Sequence, residues 1–136
     1  MAATRRSKKS GQRYHGVYLS VKKHRELEQF STNWAEKVSA ILIYKTVLPI
    51  FYELDSIFVD EDFQGQKVYV EKYLKKLLRA TYPRKEALAN PTVYFIPENK
   101  STEVKDAHIK SQRMRHKTLF MYEKDPSINK ELGILK

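Results

Sequence analysis

Apolar segments typical of β-strands alternate along this chain with helical segments, and that alternation constrains the fold more than any other feature. The predicted strands are residues 13–21, 56–60 and 92–96, and the predicted helices are 32–44, 68–81 and a segment from 101 onward. Because a helical crossover joins parallel strands, the order predicts an α/β fold. We expect a short mixed sheet of about three strands, covered by helices.

The length of the chain, 136 residues, suits a single domain with one hydrophobic core. Residues 40–44 are apolar on every side of the helix predicted there, so this helix should be central. The chain has no cysteine, which excludes disulfides and Cys-ligated zinc and fits a reducing compartment. We divide the chain into a basic arm (1–12), an α/β domain (13–124) and a C-terminal tail (125–136).

Positive charge is concentrated at the start of the chain. Residues 1–25 carry eight Lys or Arg and no acid, within a formal net charge of +10. The segment before residue 13 is also poor in apolar residues, so we expect a flexible arm. Such a run favours a nucleic-acid partner, because each phosphate contact releases a condensed counterion. A tail that only aids solubility and an arm that meets an anionic membrane surface are the alternatives.

Basic residues with interleaved tyrosines are the candidate binding residues. Basic surfaces with aromatic platforms suit nucleic acid, because phosphates meet the cations and bases stack on the rings. The candidates are Arg5, Arg6, Lys8, Lys9, Arg13, Tyr14, Lys22, Lys23, Arg25, Lys110, Arg113, Arg115 and Lys117. Tyr69 and Tyr73 are interpreted mainly as packing residues, as tyrosine often is at the edge of a core.

A set of acids could carry metal chemistry. Asp60 ends a predicted strand and Asp62 lies two residues further on, whereas Asp106 and His108 come after the next strand. If those strands are adjacent, the carboxylates would meet where Mg²⁺ could bind. The alternative is a solvated acidic turn followed by acids that favour a helix dipole. No motif in the sequence requires a cofactor, and Mg²⁺ is the ion that this set of acids would bind.

One stretch has the order of a known superfamily. The strand IFVD ends on an acid, the helix VYVEKYLKKLLRAT and the strand TVYFI follow, and ENKSTEVKDAHIKSQRMRH then opens a helix. This order resembles the C-terminal half of a ribonuclease H-like fold. The resemblance implies metal-dependent cleavage of nucleic acid, with Asp60 as a metal ligand and Asp106 or His108 as the late site residue.

Three functional hypotheses follow. The first is a protein that binds DNA or RNA through its arm and basic helix surfaces; the second is a Mg²⁺-dependent, ribonuclease H-like nuclease. The third is a structural or assembly component of a ribonucleoprotein particle. The longest apolar stretch is interrupted by Lys45, Pro49 and Glu53, and no apolar region follows the first basic residues. We therefore expect no membrane partner and an intracellular location: cytoplasm, nucleoid, nucleus or an organelle.

Overall fold

The computed structural model describes residues 2–6, 14–30, 32–49, 54–60, 66–81, 92–97, 100, 104–105, 109 and 120–136. The strands are β1 (Ala2–Arg6), β2 (Tyr14–Tyr18), β3 (Leu54–Asp60), β4 (Thr92–Ile96) and β5 (Phe120–Lys124). The helices are α1 (Val21–Phe30), α2 (Trp34–Val47), α3 (Lys67–Thr81) and α4 (Asn129–Ile134). Helices occur together with parallel strand pairs, an arrangement consistent with the predicted α/β class.

The strands of the described residues form two sheets rather than one. The first has the order β1-β3-β4, and the second pairs β2 with β5. The pairs β3–β4 and β2–β5 are parallel, whereas β1 is antiparallel to β3. The predicted strand at 13–21 therefore does not join β3 and β4. It ends at Tyr18 and pairs with β5, in a segment for which no strand was predicted.

The first residues of the chain differ from the flexible arm that their composition predicts. Ala2–Arg6 forms an edge strand on β3, with Thr4 opposite Ile57 and a register shift between Arg5 and Arg6. Backbone hydrogen bonds to β3 hold this segment in a strand, because the edge of a sheet presents unpaired N–H and C=O groups with which another segment can pair. The segment AATRR has no apolar alternation that could have indicated this pairing.

Helices α2 and α3 form the centre of the core, as their patterns predict. Ile41 and Val47 of α2 and Leu74 and Leu77 of α3 are completely buried. Ile57 and Val59 present one face of β3 to the same core. On α2 burial extends around most of the helix, because residues 40–44 are apolar on every side.

Helix α1 occupies a highly charged segment for which no helix was predicted. Leu27 is the apolar residue that it buries among the side chains of α1 that the structure describes. The amide of Lys23 donates to the hydroxyl of Ser20 over 3.3 Å, which is the hydrogen bond of a helix N-cap. His24 meets Trp34 of α2 edge to face, with 5.7 Å between ring centroids. Ser20 was the overlooked signal in the sequence.

Residues 125–136, which the sequence indicates only as a C-terminal tail, contribute to the core. Ile128 and Leu135, on either side of α4, are buried, and Leu132 is partly buried. Lys45 Nζ of α2 lies 3.3 Å from Glu131 Oε1 of α4, and both side chains are largely shielded from solvent. The 128–132–135 spacing of these apolar residues is itself a helical signal.

Asp125, which follows β5, links the end of that strand to the end of β2. The amide of Ser20 donates to Asp125 Oδ1 over 2.6 Å, and the amide of Asp125 donates to the carbonyl of Tyr18 over 2.9 Å. The Ser20 amide is the main cause that lowers the pKa of Asp125 from its ordinary value of 3.8. Asp125 has a φ of 50°, a left-handed conformation that Asp and Asn tolerate better than most residues.

Candidate nucleic-acid interface

The exposed side of α3 is strongly basic. Val70, Leu74, Leu77 and Leu78 repeat at a spacing of three and four and fix which side of the helix faces the core. Most of the remaining positions then face solvent, although Tyr73 is partly buried. They carry the exposed side chains of Lys72, Lys75, Lys76 and Arg79.

The charge of α3 is poorly balanced within the helix. Its sequence holds five Lys or Arg and one acid, Glu71. That acid pairs with Lys75, with 2.9 Å between Nζ and Oε1. Lys72 and Arg79 have no ion pair with any other residue that the structure describes. A face of unbalanced cations attracts anions and raises their local concentration.

Two tyrosines continue this face toward the start of α2. Tyr69 and Tyr73 are one helical turn apart, and their rings stack with 6.3 Å between centroids and 28° between planes. Lys37 of α2 lies over the Tyr73 ring, 5.9 Å from its centroid. We define the α3 surface as Lys37, Tyr69, Lys72, Tyr73, Lys76 and Arg79.

The predicted contacts on α1 are exposed to different degrees. Lys22 and Arg25 are exposed, whereas Lys23 is half-buried and lies 3.5 Å from Glu26 Oε2. Helix α1 also carries Glu28, so its net charge is smaller than that of α3. Lys22 and Arg25 are thus the α1 residues best placed to meet a phosphate.

The structure locates only part of the remaining predicted binding set. Arg5 and Arg6 lie in β1, at the edge of the first sheet, and Tyr14 begins β2. The other candidates lie outside the described residues: Lys8, Lys9, Arg13, Lys110, Arg113, Arg115 and Lys117. The predicted surface, made of the N-terminal arm together with the late basic helix, therefore lies mostly outside the described residues.

The carboxylate hypothesis required β3 and β4 to be neighbours, and they are. Asp60 is the last residue of β3 and is paired in the register with Ile96, the last residue of β4. Asp62, Asp106 and His108 lie outside the described residues. Within the described segments, no group of three His, Asp or Glu could hold a metal ion.

The residues that the sequence interpretation did not single out are those of the α3 surface. Lys72, Lys76 and Arg79 lie opposite the apolar residues of an amphipathic helix, a pattern that by itself indicates only exposure to solvent. The two tyrosines were interpreted as packing residues. Their signal was the spacing: Tyr69, Tyr73 and Lys76 follow one another at four and three, which puts them along one side of the helix. What the spacing could not supply was the position of Lys37 from α2.

Comparison with protein-family models, curated proteins and solved structures gave no match for this chain. Across the described segments, the helices are all too short or too polar to cross a membrane.

Proposed function

We propose that this chain binds nucleic acid, with basic helix surfaces making the phosphate contacts. The observation that carries the proposal is the unbalanced charge of α3, where exposed Lys72, Lys76 and Arg79 share a helix with one acid that Lys75 already pairs. The whole chain adds to the attraction, since its formal net charge is +10. A polyanion is the partner that gains most from such a surface.

Phosphate contacts position a nucleic acid without reading its sequence. The lysines of α3 are flexible point charges that suit this use, and Arg79 can contact two phosphate oxygens at once. We therefore expect weak dependence on base sequence and strong dependence on salt. DNA and RNA are both partners under this proposal, and the α3 surface carries it in each case.

The test is fluorescence anisotropy with a labelled single-stranded RNA, a single-stranded DNA and a DNA duplex over a salt series. The chain should bind at low salt, and the logarithm of its affinity should fall linearly with the logarithm of the salt concentration. For single strands the slope should be about −0.7 per phosphate contact. Addition of a chelator should leave the affinity unchanged. Absence of binding to all three probes at low salt would contradict the proposal.

A second candidate, a Mg²⁺-dependent ribonuclease H-like nuclease, is supported by one feature of the fold. Asp60 ends β3 beside the end of β4, and ligands of parallel sheets bind beyond such strand ends. Under this hypothesis purified protein cleaves RNA or DNA when Mg²⁺ is added, and Asp60→Asn abolishes the cleavage. Equal cleavage by wild type and Asp60→Asn would point to a contaminating nuclease and remove this candidate.

A further inference from the structure

Tyr69 of α3 is 39% exposed, although its ring stacks against the ring of Tyr73. Tyr69 thus keeps more of its surface accessible than Tyr73, which is only partly exposed. An aromatic side chain at such a position can offer an apolar face to a planar partner.

Tyr73 is held in position by residues of another element. The side-chain amide of Asn33 donates to Tyr73 Oη over 3.4 Å. Lys37 lies 5.9 Å from the centre of the same ring, within the range of a cation–π contact. Because Tyr73 is fixed in this way and stacks on Tyr69, the rotamer freedom that Tyr69 would lose on binding is already reduced. Preorganisation of this kind lowers the cost of association.

Cations adjoin the two rings. Lys76 is three residues after Tyr73 and Lys72 is three after Tyr69, so each shares a side of α3 with a ring. Both lysines are exposed. An unpaired base on the Tyr69 ring would therefore have cations within reach of its own backbone phosphates.

We propose that Tyr69 is a stacking platform for one unpaired base of a single-stranded nucleic acid, with Tyr73 as a positioning residue. The proposal rests on the proposed function and adds to it the site and the strand type. A duplex keeps its bases stacked inside the helix, so its bases cannot reach a ring on a convex helix surface without being extruded. Single strands present their bases freely, and stacking on a ring tolerates any base.

A second exposed tyrosine makes a matched control. Tyr94 of β4 is 47% exposed and stacks on Phe58 of β3, with 5.4 Å between centroids. It resembles Tyr69 in exposure and in having a stacked neighbour, but it lies on the sheet and not on the basic helix. If exposed rings bound bases regardless of their surroundings, the two tyrosines would behave alike.

The experiment measures the affinity of the full chain for a labelled single-stranded oligonucleotide and for an abasic oligonucleotide of the same length. The abasic strand keeps the phosphates and removes the bases. Tyr69→Ala should weaken binding to the base-bearing strand about tenfold, within the range found when a stacking aromatic is removed. It should leave binding to the abasic strand and the salt slope unchanged.

The controls separate stacking from folding and from charge. Tyr69→Phe keeps the ring and should bind as the wild type does, and Tyr94→Ala should also keep full affinity. Unchanged affinity of Tyr69→Ala for the base-bearing strand, or an equal loss on the abasic strand, would overturn the stacking proposal. If the wild type binds neither strand at low salt, the proposed function fails, and the stacking proposal fails with it.

Discussion

Single residues gain their roles here from contacts that cross between elements. Asn33 is a residue type whose side chain often caps a helix. It does occupy the N-cap position, but with a φ of 55° and no side-chain capping bond. Its amide is instead directed to Tyr73, forty residues further along the chain. The sequence could indicate that a polar residue begins α2, but not that a distant hydroxyl would compete for its side chain.

The Asp125 carboxylate makes the stability of the fold depend on pH. Its pKa is lowered in the folded protein, mainly by the Ser20 amide and further by the Ser20 hydroxyl and nearby Lys124 and Lys23. The ionised form therefore stabilises the fold fully above the unfolded value near 3.8, and this stabilisation is lost as pH falls through the lower folded pKa.

Thermal unfolding of wild type and Asp125→Asn between pH 2.5 and 7 would measure this contribution. Asparagine tolerates the same left-handed backbone and keeps one acceptor for the Ser20 amide, while the charge is removed and the second oxygen is replaced by an amide nitrogen. We expect the wild type to have the higher Tm at pH 6 and the difference to shrink in acid. A difference that grew below pH 4 would contradict the role given to Asp125.

At the scale of elements, the sequence predicted those that bury much apolar surface. Helices α2 and α3 and strands β3 and β4 were all predicted from their patterns, with boundaries close to those observed. Each has an apolar period or run strong enough to determine its type locally. Their burial, including that of Val70 and Leu78, followed from the same pattern.

The elements that the sequence did not predict depend on distant partners. Strand β1 exists by backbone pairing to β3, and β5 by pairing to β2, more than one hundred residues earlier in the chain. Helix α4 has only six residues, too few to be stable alone, and it depends on its contacts with α2 and α3. Tertiary pairing of this kind leaves little trace in local sequence.

The ion pair between Lys45 and Glu131 gives a prediction for the docking of α4. Removing Lys45 would leave the Glu131 carboxylate buried without its cation, and its Oε2 atom already has no hydrogen-bond partner in the described structure. Loss of one partner of a fully buried pair costs about 3–5 kcal/mol, and the 22% exposure of the Lys45 side chain reduces that cost. We expect Lys45→Met to lower the free energy of unfolding, measured in urea, by roughly 2–4 kcal/mol.

Two further variants control this measurement. The double variant Lys45→Met with Glu131→Met should recover most of the stability, because no uncompensated charge then remains. Lys75→Met breaks an exposed pair with Glu71 on α3 and should cost under about 0.5 kcal/mol. An equal cost for Lys45→Met and Lys75→Met would show that the α4 pair is not buried in solution.

In the whole molecule, different residues determine the fold and the net charge. The core is centred on α2, α3 and the inward face of β3, and among the residues that the structure describes Glu131 is the charged one that is buried. The cations are left on the surface, most densely on α3 among the described helices. The sequence could predict the sign and size of the charge, and the spacing along α3 places the Tyr69–Tyr73 pair beside it. The position of Lys37 over the Tyr73 ring, in contrast, required the packing of α2 against α3.

The central claim is that the α3 surface binds phosphates, and a comparison of salt slopes tests it most directly. The variant Lys72→Ala, Lys76→Ala, Arg79→Ala removes three exposed cations from α3, and a matched variant removes exposed Lys100, Lys105 and Lys130 elsewhere. Both change the net charge equally. The account predicts that the α3 variant loses about 2 from the slope of log affinity against log salt for a single strand, whereas the matched variant keeps the wild-type slope. Identical slopes for the two variants would contradict it.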